Sequence, residues 1–217
     1  MLTFDVANLS DRDFDQILSF LQAGGVIGFP TDTAYGLGAD PFNESAIRRI
    51  FEIKGRPESK PILVLVDSMD MVQRLVGISD VSGIANQLAS RFWPGPLTLI
   101  LPALGPELGN VSRLVTSGTG TIGVRWPSAP FALRLVRAFG RPITATSANK
   151  SGMPSTVTAD DVRAQLGMDL EMLIDGGRLP TSQGSTLLDL TQDRPTLVRE
   201  GPVSRMALEE ALNGNIR

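Results

Sequence analysis

The sequence predicts a single α/β domain built on a mixed β-sheet with flanking helices. Helical and strand patterns alternate along the whole chain of 217 residues, as they do in proteins that pack helices against a sheet. No break in composition, internal repeat or low-complexity segment divides the sequence, so one domain over residues 1–217 is expected. A chain of this length buries roughly 70% of its extended surface, so a hydrophobic core can stabilise it without disulfides.

Hydrophobic spacing locates the elements in the first half of the chain. Ser10 and Asp13 resemble a capping box, and apolar residues from Phe14 onward repeat at helical spacing. The patterns that follow predict a strand at VIGFP (26–30), a helix that ends near Gly55, a strand at ILVLV (62–66), a helix over 84–92 and a strand at LTLIL (97–101).

The second half of the chain continues this alternation. Its patterns predict strands at TIGVRW (121–126), PITAT (142–146), LEMLI (170–174), TLLDL (186–190) and TLVRE (196–200), with helices over 129–139, from Thr158 and from Ser204. Loops rich in glycine, proline, serine and threonine lie at 30–41, 54–61, 147–156 and 176–186. Because α/β sheets bind ligands where strands end in such loops, these four loops are the candidate ligand-binding segments.

Composition excludes several kinds of chemistry. The chain contains no cysteine and no histidine, so a thiol nucleophile, a Ser-His-Asp triad and the usual zinc sites are excluded. With 20 Lys and Arg against 23 Asp and Glu, the net charge is −3, which argues against a broad nucleic-acid-binding surface. Any reaction is therefore left to lysine, arginine, hydroxyl, amide and carboxylate side chains.

The chain is expected to be cytoplasmic and to make no contact with a membrane. Its first residues, MLTFDVANLSDRD, are acidic and lack the basic-then-apolar pattern of a secretory signal. No apolar run approaches the roughly 20 residues that a membrane-spanning helix needs.

Three cations cluster in the segment KGRPESK, where Lys54, Arg56 and Lys60 lie within seven positions. Charge runs usually form a solvated surface, which is one interpretation of this segment. The other is an anion-binding loop, because Gly55 and the prolines constrain the backbone, and guanidinium and ammonium groups bind phosphate oxygens. The chemistry of the segment leaves both interpretations open.

Polar side chains at other strand ends offer complementary groups. The loop PTDTAYGLG (30–38) provides hydroxyls and an aromatic ring, and TSANKSGMPS (146–155) provides small hydrogen-bonding groups beside a glycine. The segments GST (184–186) and VREGP (198–202) place a serine and an arginine at strand ends. Arg125 lies inside an apolar strand, where an unpaired cation is unfavourable, so it pairs either with a protein carboxylate or with a ligand carboxylate.

Taken together, these motifs resemble those of the YrdC-like family. PTDTAYGLG, KGRPESKP, FWPGPLT, VRWP, SANKSG with MPS, GST and VREG occur in the family's order, over about residues 10–203. The resemblance implies a twisted α/β fold around a positively lined cavity. Some family members continue into an additional C-terminal domain, and no such domain is expected here.

The combination of motifs is most similar to the stand-alone threonylcarbamoyl-AMP synthases of this family. The resemblance implies a nucleotidyltransferase that makes L-threonylcarbamoyladenylate and pyrophosphate from L-threonine, bicarbonate and ATP. The product supplies the N6-threonylcarbamoyladenosine modification of tRNA position 37 through a downstream tRNA threonylcarbamoyl transferase complex. Mg²⁺ is expected to arrive with ATP, no metal site of the protein's own is expected, and a weak tRNA contact is included among the expected interactions.

The resemblance also implies roles for individual residues. Its K-x-R and S-x-N signatures fall on the implied catalytic residues Lys54, Arg56, Ser147 and Asn149. The residues implied to bind ATP are Arg56, Lys60, Thr121, Ser147, Ser155 and Arg199. The residues implied to bind threonine are Thr33, Arg125 and Ser185. Leu65 stands where some relatives carry a histidine.

Three alternative functions are compatible with the same residues. The fold also serves as a carbamoyl-transfer module in hydrogenase maturation proteins, which use carbamoyl phosphate and ATP. A YciO-like paralogue that acts on an unknown substrate is the second alternative. The third is an RNA-binding or ribosome-assembly module without catalysis, which the acidic composition disfavours.

Overall fold

The computed structural model describes residues 1–77, 83–104 and 111–217. Within these residues there are eight α-helices: α1 (Asp11–Gln22), α2 (Glu44–Lys54), α3 (Met69–Val76), α4 (Ile84–Phe92), α5 (Arg113–Thr116), α6 (Pro130–Phe139), α7 (Ala159–Leu166) and α8 (Arg205–Ala211). The strands are β1 (Leu2–Asp5), β2 (Ile27–Phe29), β3 (Gly36–Gly38), β4 (Val64–Leu65), β5 (Leu97–Pro102), β6 (Thr121–Arg125), β7 (Ile143–Thr144), β8 (Thr146–Ser147), β9 (Met172–Asp175), β10 (Thr186–Asp189) and β11 (Thr196–Arg199).

Local sequence signals account for the helix boundaries. The Ser10 hydroxyl accepts from the backbone N–H of Asp13, whose carboxylate accepts in return, so the predicted capping box of α1 is confirmed. Thr158 and Asp161 form the same arrangement at α7. The predicted end of α2 is also confirmed, because Gly55 adopts a left-handed conformation (φ 58°) that closes the helix.

The strands form two mixed sheets, where the sequence predicted one. The first sheet has the order β1-β9-β2-β3-β8, and the second has the order β11-β10-β5-β6-β4-β7. Both contain parallel and antiparallel pairs: β2 is parallel to β9 and antiparallel to β3, while β5 is parallel to β10 and antiparallel to β6. The predicted mixed α/β class is therefore confirmed, and the division into two sheets is a correction to it.

The predicted strand PITAT explains how the two sheets are joined. Its first part, β7, pairs with β4 of the second sheet, where Thr144 lies opposite Val64. Its last part, β8, pairs with β3 of the first sheet, where Ser147 lies opposite Gly36. Because the chain changes sheets at Ala145, the side chains of β8 lie at the junction between the two sheets.

The sequence patterns missed four elements, namely β1, β3, α3 and α5. Strand β3 lies inside the glycine-rich segment that was predicted to be a loop. A side chain at Gly38 would lie 2.8 Å from the Phe29 ring, so glycine is needed for this strand to approach β2. Among the described residues, no helix is both long enough and apolar enough to cross a membrane.

Candidate active site

A cavity of about 430 Å³ is lined by residues from both sheets. The first sheet contributes the β2–β3 loop and the β8 segment, and the second sheet contributes β5, β6, β10 and β11. The segment that follows α2 contributes a further part of the wall. The volume is in the range typical of small-molecule sites.

Strand alternation determines which residues of the second sheet face the cavity. On β6, Thr121, Gly123 and Arg125 line the cavity, whereas the residues between them are buried in the core. On β5, Thr98 and Ile100 line it in the same way. Thr121 and Arg125 are four residues apart on one strand, so the cavity wall extends about 13 Å along β6.

Nine of the eleven residues that the resemblance implied line this cavity. They are Thr33, Arg56, Lys60, Thr121, Arg125, Ser147, Ser155, Ser185 and Arg199. These residues come from six separate stretches of the sequence, and the fold brings them together. Lys54 and Asn149 do not line the cavity and lie behind its wall.

Arg125 is a buried cation at one end of the cavity, with only 2% of its surface exposed. Its Nη1 donates to the Thr33 hydroxyl at 2.7 Å, and its Nη2 lies 3.9 Å from Oδ1 of Asp32. Burial lowers the pKa of Arg125, and the Asp32 carboxylate acts in the opposite direction. Within the described residues, Arg125 Nε and both Asp32 carboxylate oxygens are buried without a hydrogen-bond partner. The protein carboxylate is therefore too distant to satisfy Arg125 fully, which leaves a role for a ligand carboxylate.

Arg199 is held against the backbone of the GST segment. Its Nε and Nη2 donate to the Ser185 carbonyl at 3.0 and 2.7 Å. A side chain at Gly184 would lie 2.8 Å from the Arg199 guanidinium, so only glycine admits the cation in this position. Burial lowers the pKa of Arg199. The Ser185 hydroxyl lies 2.7 Å from that of Thr98, so Ser185, just before β10, connects Thr98 of β5 with Arg199 of β11.

Arg56 and Lys60 resolve the two interpretations of the KGRPESK segment. Arg56 is partly buried, lines the cavity and donates to the Pro61 carbonyl at 2.8 Å and to the Thr146 hydroxyl at 3.4 Å. Burial lowers the pKa of Arg56, and its Nε is buried without a hydrogen-bond partner in the described chain. Lys60 lies in an exposed position at the cavity rim. The segment thus provides one inward-facing cation and one solvated cation.

Lys54 and Asn149 hold the SANKSG loop in place from behind. The Lys54 ammonium contacts the Ser147 carbonyl and donates to the carbonyl and the side-chain oxygen of Asn149 at 2.9 and 3.3 Å. In return, the backbone N–H of Ser151 donates to the Lys54 carbonyl at 2.8 Å. The Asn149 amide group donates to Met153 O at 2.6 Å. These contacts place both residues behind the cavity wall, against the loop that carries Ser147.

The burial of Lys54 predicts a pH-dependent stability. Burial, with a smaller contribution from the Arg56 cation, lowers the pKa of Lys54 from 10.5 to about 7. Between these values the unfolded chain binds more protons at this group than the folded chain, so its contribution to the free energy of unfolding increases with pH. We compare the free energy of unfolding of the unmodified protein with that of the Lys54→Met variant. From pH 7 to pH 9.5, we expect the value for the unmodified protein to increase relative to that of the variant.

Denaturant unfolding of both proteins at several pH values measures this difference. Arg49→Met, which removes a partly exposed cation from the same helix, is the matched control and should show no comparable change. Parallel pH profiles for the unmodified protein and Lys54→Met would contradict the lowered pKa.

Sequence reasoning did not single out two cavity residues, Thr98 and Thr146. Thr98 lies within the apolar run LTLIL. Strand alternation places it on the opposite face from Leu97 and Leu99, and this was the signal that could have identified it. The Thr146 hydroxyl accepts a hydrogen bond from Arg56. Thr146 reaches the cavity wall because the chain changes sheets at Ala145. Leu65 is fully buried and does not line the cavity.

Comparison with known proteins finds relatives that belong to one family. The Sua5/YciO/YrdC family model, described as telomere recombination, matches residues 19–201. The chain is 40% identical over 198 residues to a threonylcarbamoyl-AMP synthase of Pyrococcus abyssi, with 91% of this chain and 56% of that protein covered. It is 38% identical over 208 residues to a threonylcarbamoyl-AMP synthase of Bacillus subtilis, with 96% of this chain and 59% of that protein covered.

A solved structure shares this fold over the whole chain. The structure of Pyrococcus abyssi Sua5 complexed with L-threonine aligns with a TM-score of 0.91 at 36% identity, covering 100% of this chain and 62% of that one. The chain therefore spans about three fifths of the length of these relatives.

Proposed function

Because the chain belongs to the Sua5/YciO/YrdC family, we propose that its cavity synthesises L-threonylcarbamoyladenylate from L-threonine, bicarbonate and ATP. One observation carries this proposal. Four cations from three separate stretches of the chain, Arg56, Lys60, Arg125 and Arg199, line one cavity together with small hydroxyl side chains. Such a set suits a triphosphate and an amino-acid carboxylate bound side by side.

The two reactants occupy different ends of the cavity in this proposal. Arg125, with Thr33 and Ser185 nearby, receives L-threonine, because a buried and incompletely paired guanidinium favours a carboxylate. The nucleotide lies between the partly buried Arg56 and Arg199, with Lys60 at the rim and Thr121 at the far end of β6. Ser147 and Ser155 provide hydroxyls along the opposite wall.

The reaction has two steps and needs no protein nucleophile. The amine nitrogen of L-threonine forms a bond to the carbon of bicarbonate, and water leaves to give a carbamate. A carbamate oxygen then attacks the α-phosphorus of ATP, and the bond from that phosphorus to the oxygen bridging to the β-phosphate breaks to release pyrophosphate. Alignment of the reactants and neutralisation of phosphate charge by Arg56, Lys60 and Arg199 would supply the acceleration.

Mg²⁺ enters this proposal as the counter-ion of the triphosphate. The described residues that line the cavity include no carboxylate, and no group of three potential metal ligands occurs in the described ranges. This donor set fits an ion that binds phosphate oxygens and keeps several water molecules. When bound with ATP, the ion would neutralise part of the triphosphate charge.

The wider role follows from the product. The adenylate would supply a tRNA threonylcarbamoyl transferase complex in the cytoplasm for N6-threonylcarbamoyladenosine at tRNA position 37. A weak contact with tRNA is part of the proposal and would have to occur without a broadly basic surface, since the net charge is −3.

A substrate survey tests the proposed function. The purified protein is incubated with ATP, Mg²⁺, bicarbonate and each amino acid in turn, and the adenylate and pyrophosphate are measured. We expect both products with L-threonine and bicarbonate together, and neither when one of them is omitted. Products formed from carbamoyl phosphate and ATP would point to the carbamoyl-transfer alternative, and RNA binding without any nucleotide turnover would point to the non-catalytic one. Adenylate formed with another substrate would favour the YciO-like alternative.

A further inference from the structure

Thr98 is a buried threonine in the wall of the cavity that the comparisons and the sequence motifs leave without a role. It is the second residue of β5 and only 1% of its surface is exposed. Its neighbours Leu97 and Leu99 are buried on the core side of the sheet, so the side chain of Thr98 points to the cavity side. A hydroxyl at such a depth is unfavourable unless it makes a hydrogen bond.

The hydroxyl of Thr98 makes its hydrogen bond with a predicted substrate-binding residue. Its Oγ1 lies 2.7 Å from Oγ of Ser185, the residue immediately before the parallel neighbouring strand β10. The methyl group of Thr98 packs toward Gly123, where an added Cβ would lie 3.4 Å from it. The methyl contact on one side and the hydroxyl contact on the other select one rotamer of the β-branched side chain.

Ser185 is also held from its other side. Nη2 of Arg199 donates to the Ser185 carbonyl at 2.7 Å and lies 3.4 Å from its hydroxyl oxygen. Arg199 thus fixes the backbone of Ser185 and makes only a long contact with its hydroxyl oxygen, whereas the 2.7 Å contact with Thr98 is the short hydrogen bond that sets the direction of the hydroxyl. A serine hydroxyl has one hydrogen and rotates freely without a partner, so the Thr98 contact decides which of its hydrogen-bonding sites faces the ligand.

We propose that Thr98 is a positioning residue that orients the Ser185 hydroxyl toward the bound amino acid. The inference rests on the proposed function, in which Ser185 binds L-threonine. It assigns Thr98 no contact with ATP, so its removal should affect one substrate and not the other. The effect should pass entirely through Ser185.

Isosteric and conservative variants test this role. Thr98→Val keeps the shape and removes the hydroxyl, and Thr98→Ser keeps the hydroxyl and removes the methyl group. We expect Thr98→Val to raise KM and Kd for L-threonine about three- to tenfold, as the loss of one neutral hydrogen bond does, with KM for ATP unchanged. Thr98→Ser should recover most of the affinity. Thr116→Val, at a buried threonine outside the cavity wall, controls for the general effect of the substitution on stability.

A double-mutant cycle with Ser185→Ala distinguishes a loss of binding caused by misorientation of the Ser185 hydroxyl from one caused by general damage to the fold. The double variant Thr98→Val/Ser185→Ala should bind L-threonine no more weakly than Ser185→Ala alone, because Thr98 acts through Ser185. Multiplicative losses, an equal rise in KM for ATP, or a Thr98→Ser variant as weak as Thr98→Val would overturn the inference. An unmodified protein that binds no L-threonine would overturn the proposed function and the inference with it, whereas unchanged binding in Thr98→Val would overturn the inference alone.

Discussion

Arg56→Ala is expected to reduce threonine-dependent pyrophosphate release by two to three orders of magnitude and to leave the fold intact. Loss of one charge-stabilising donor in an active site costs about 2.7–4 kcal/mol at the transition state, and Arg56 is an inward-facing cation of the segment after α2. It donates hydrogen bonds to the Thr146 hydroxyl and the Pro61 carbonyl, both on the cavity wall. Steady-state release of pyrophosphate measures the effect, and circular dichroism and the melting temperature report on the fold.

Two variants make this result specific to Arg56. Arg91→Ala removes an arginine that is paired with Glu210 on the surface and should retain full activity. Arg56→Lys keeps a positive charge without the planar guanidinium, so its activity should lie between those of Arg56→Ala and Arg91→Ala. Turnover of Arg56→Ala within a few fold of the unmodified protein would exclude a role for this cation in charge stabilisation.

Arg125→Met is expected to cost both stability and threonine binding. The variant leaves the Asp32 carboxylate buried without its nearest cation, and breaking a buried pair in this way costs about 3–5 kcal/mol of the free energy of unfolding. It also removes the guanidinium that we propose binds the carboxylate of L-threonine. Loss of such a charge-assisted contact should weaken threonine binding by about ten- to a hundredfold.

The double variant Arg125→Met/Asp32→Asn separates these two losses. Replacing the carboxylate with an amide removes the unpaired buried charge, so a large part of the stability should return. Threonine binding should not return, because the guanidinium is still absent. Denaturant unfolding and calorimetric titration with L-threonine measure the two quantities. Recovery of binding in the double variant would show that Arg125 acts only as the partner of Asp32.

The sequence was a good guide to local structure. The boundaries of α1, α2 and α7 follow from capping residues and a left-handed glycine, which act within a few residues. The alternation of strands and helices predicted the α/β class, and the order of the motifs predicted the family, which the comparisons confirm. The short elements β3 and α5 escaped notice because their few residues carry too little periodicity.

The division of the strands between two sheets could not be read from the sequence. A strand's pattern indicates which of its residues are buried but leaves its hydrogen-bonding partner undetermined. The segment PITAT reads as one strand, yet its two parts pair with different sheets on either side of Ala145. Partner choice depends on residues distant in sequence, such as Val64 and Gly36.

Lys54 and Arg56 show most clearly which features the sequence determines locally and which depend on tertiary structure. The sequence by itself determined that both cations flank a glycine at the end of a helix, because helix capping is local. Only the tertiary structure decided that the ammonium contacts the Ser147 and Asn149 carbonyls behind the wall while the guanidinium lines the cavity. The partners that make this difference lie about ninety residues further along the chain, and contacts over that separation exist only once the two sheets have packed together.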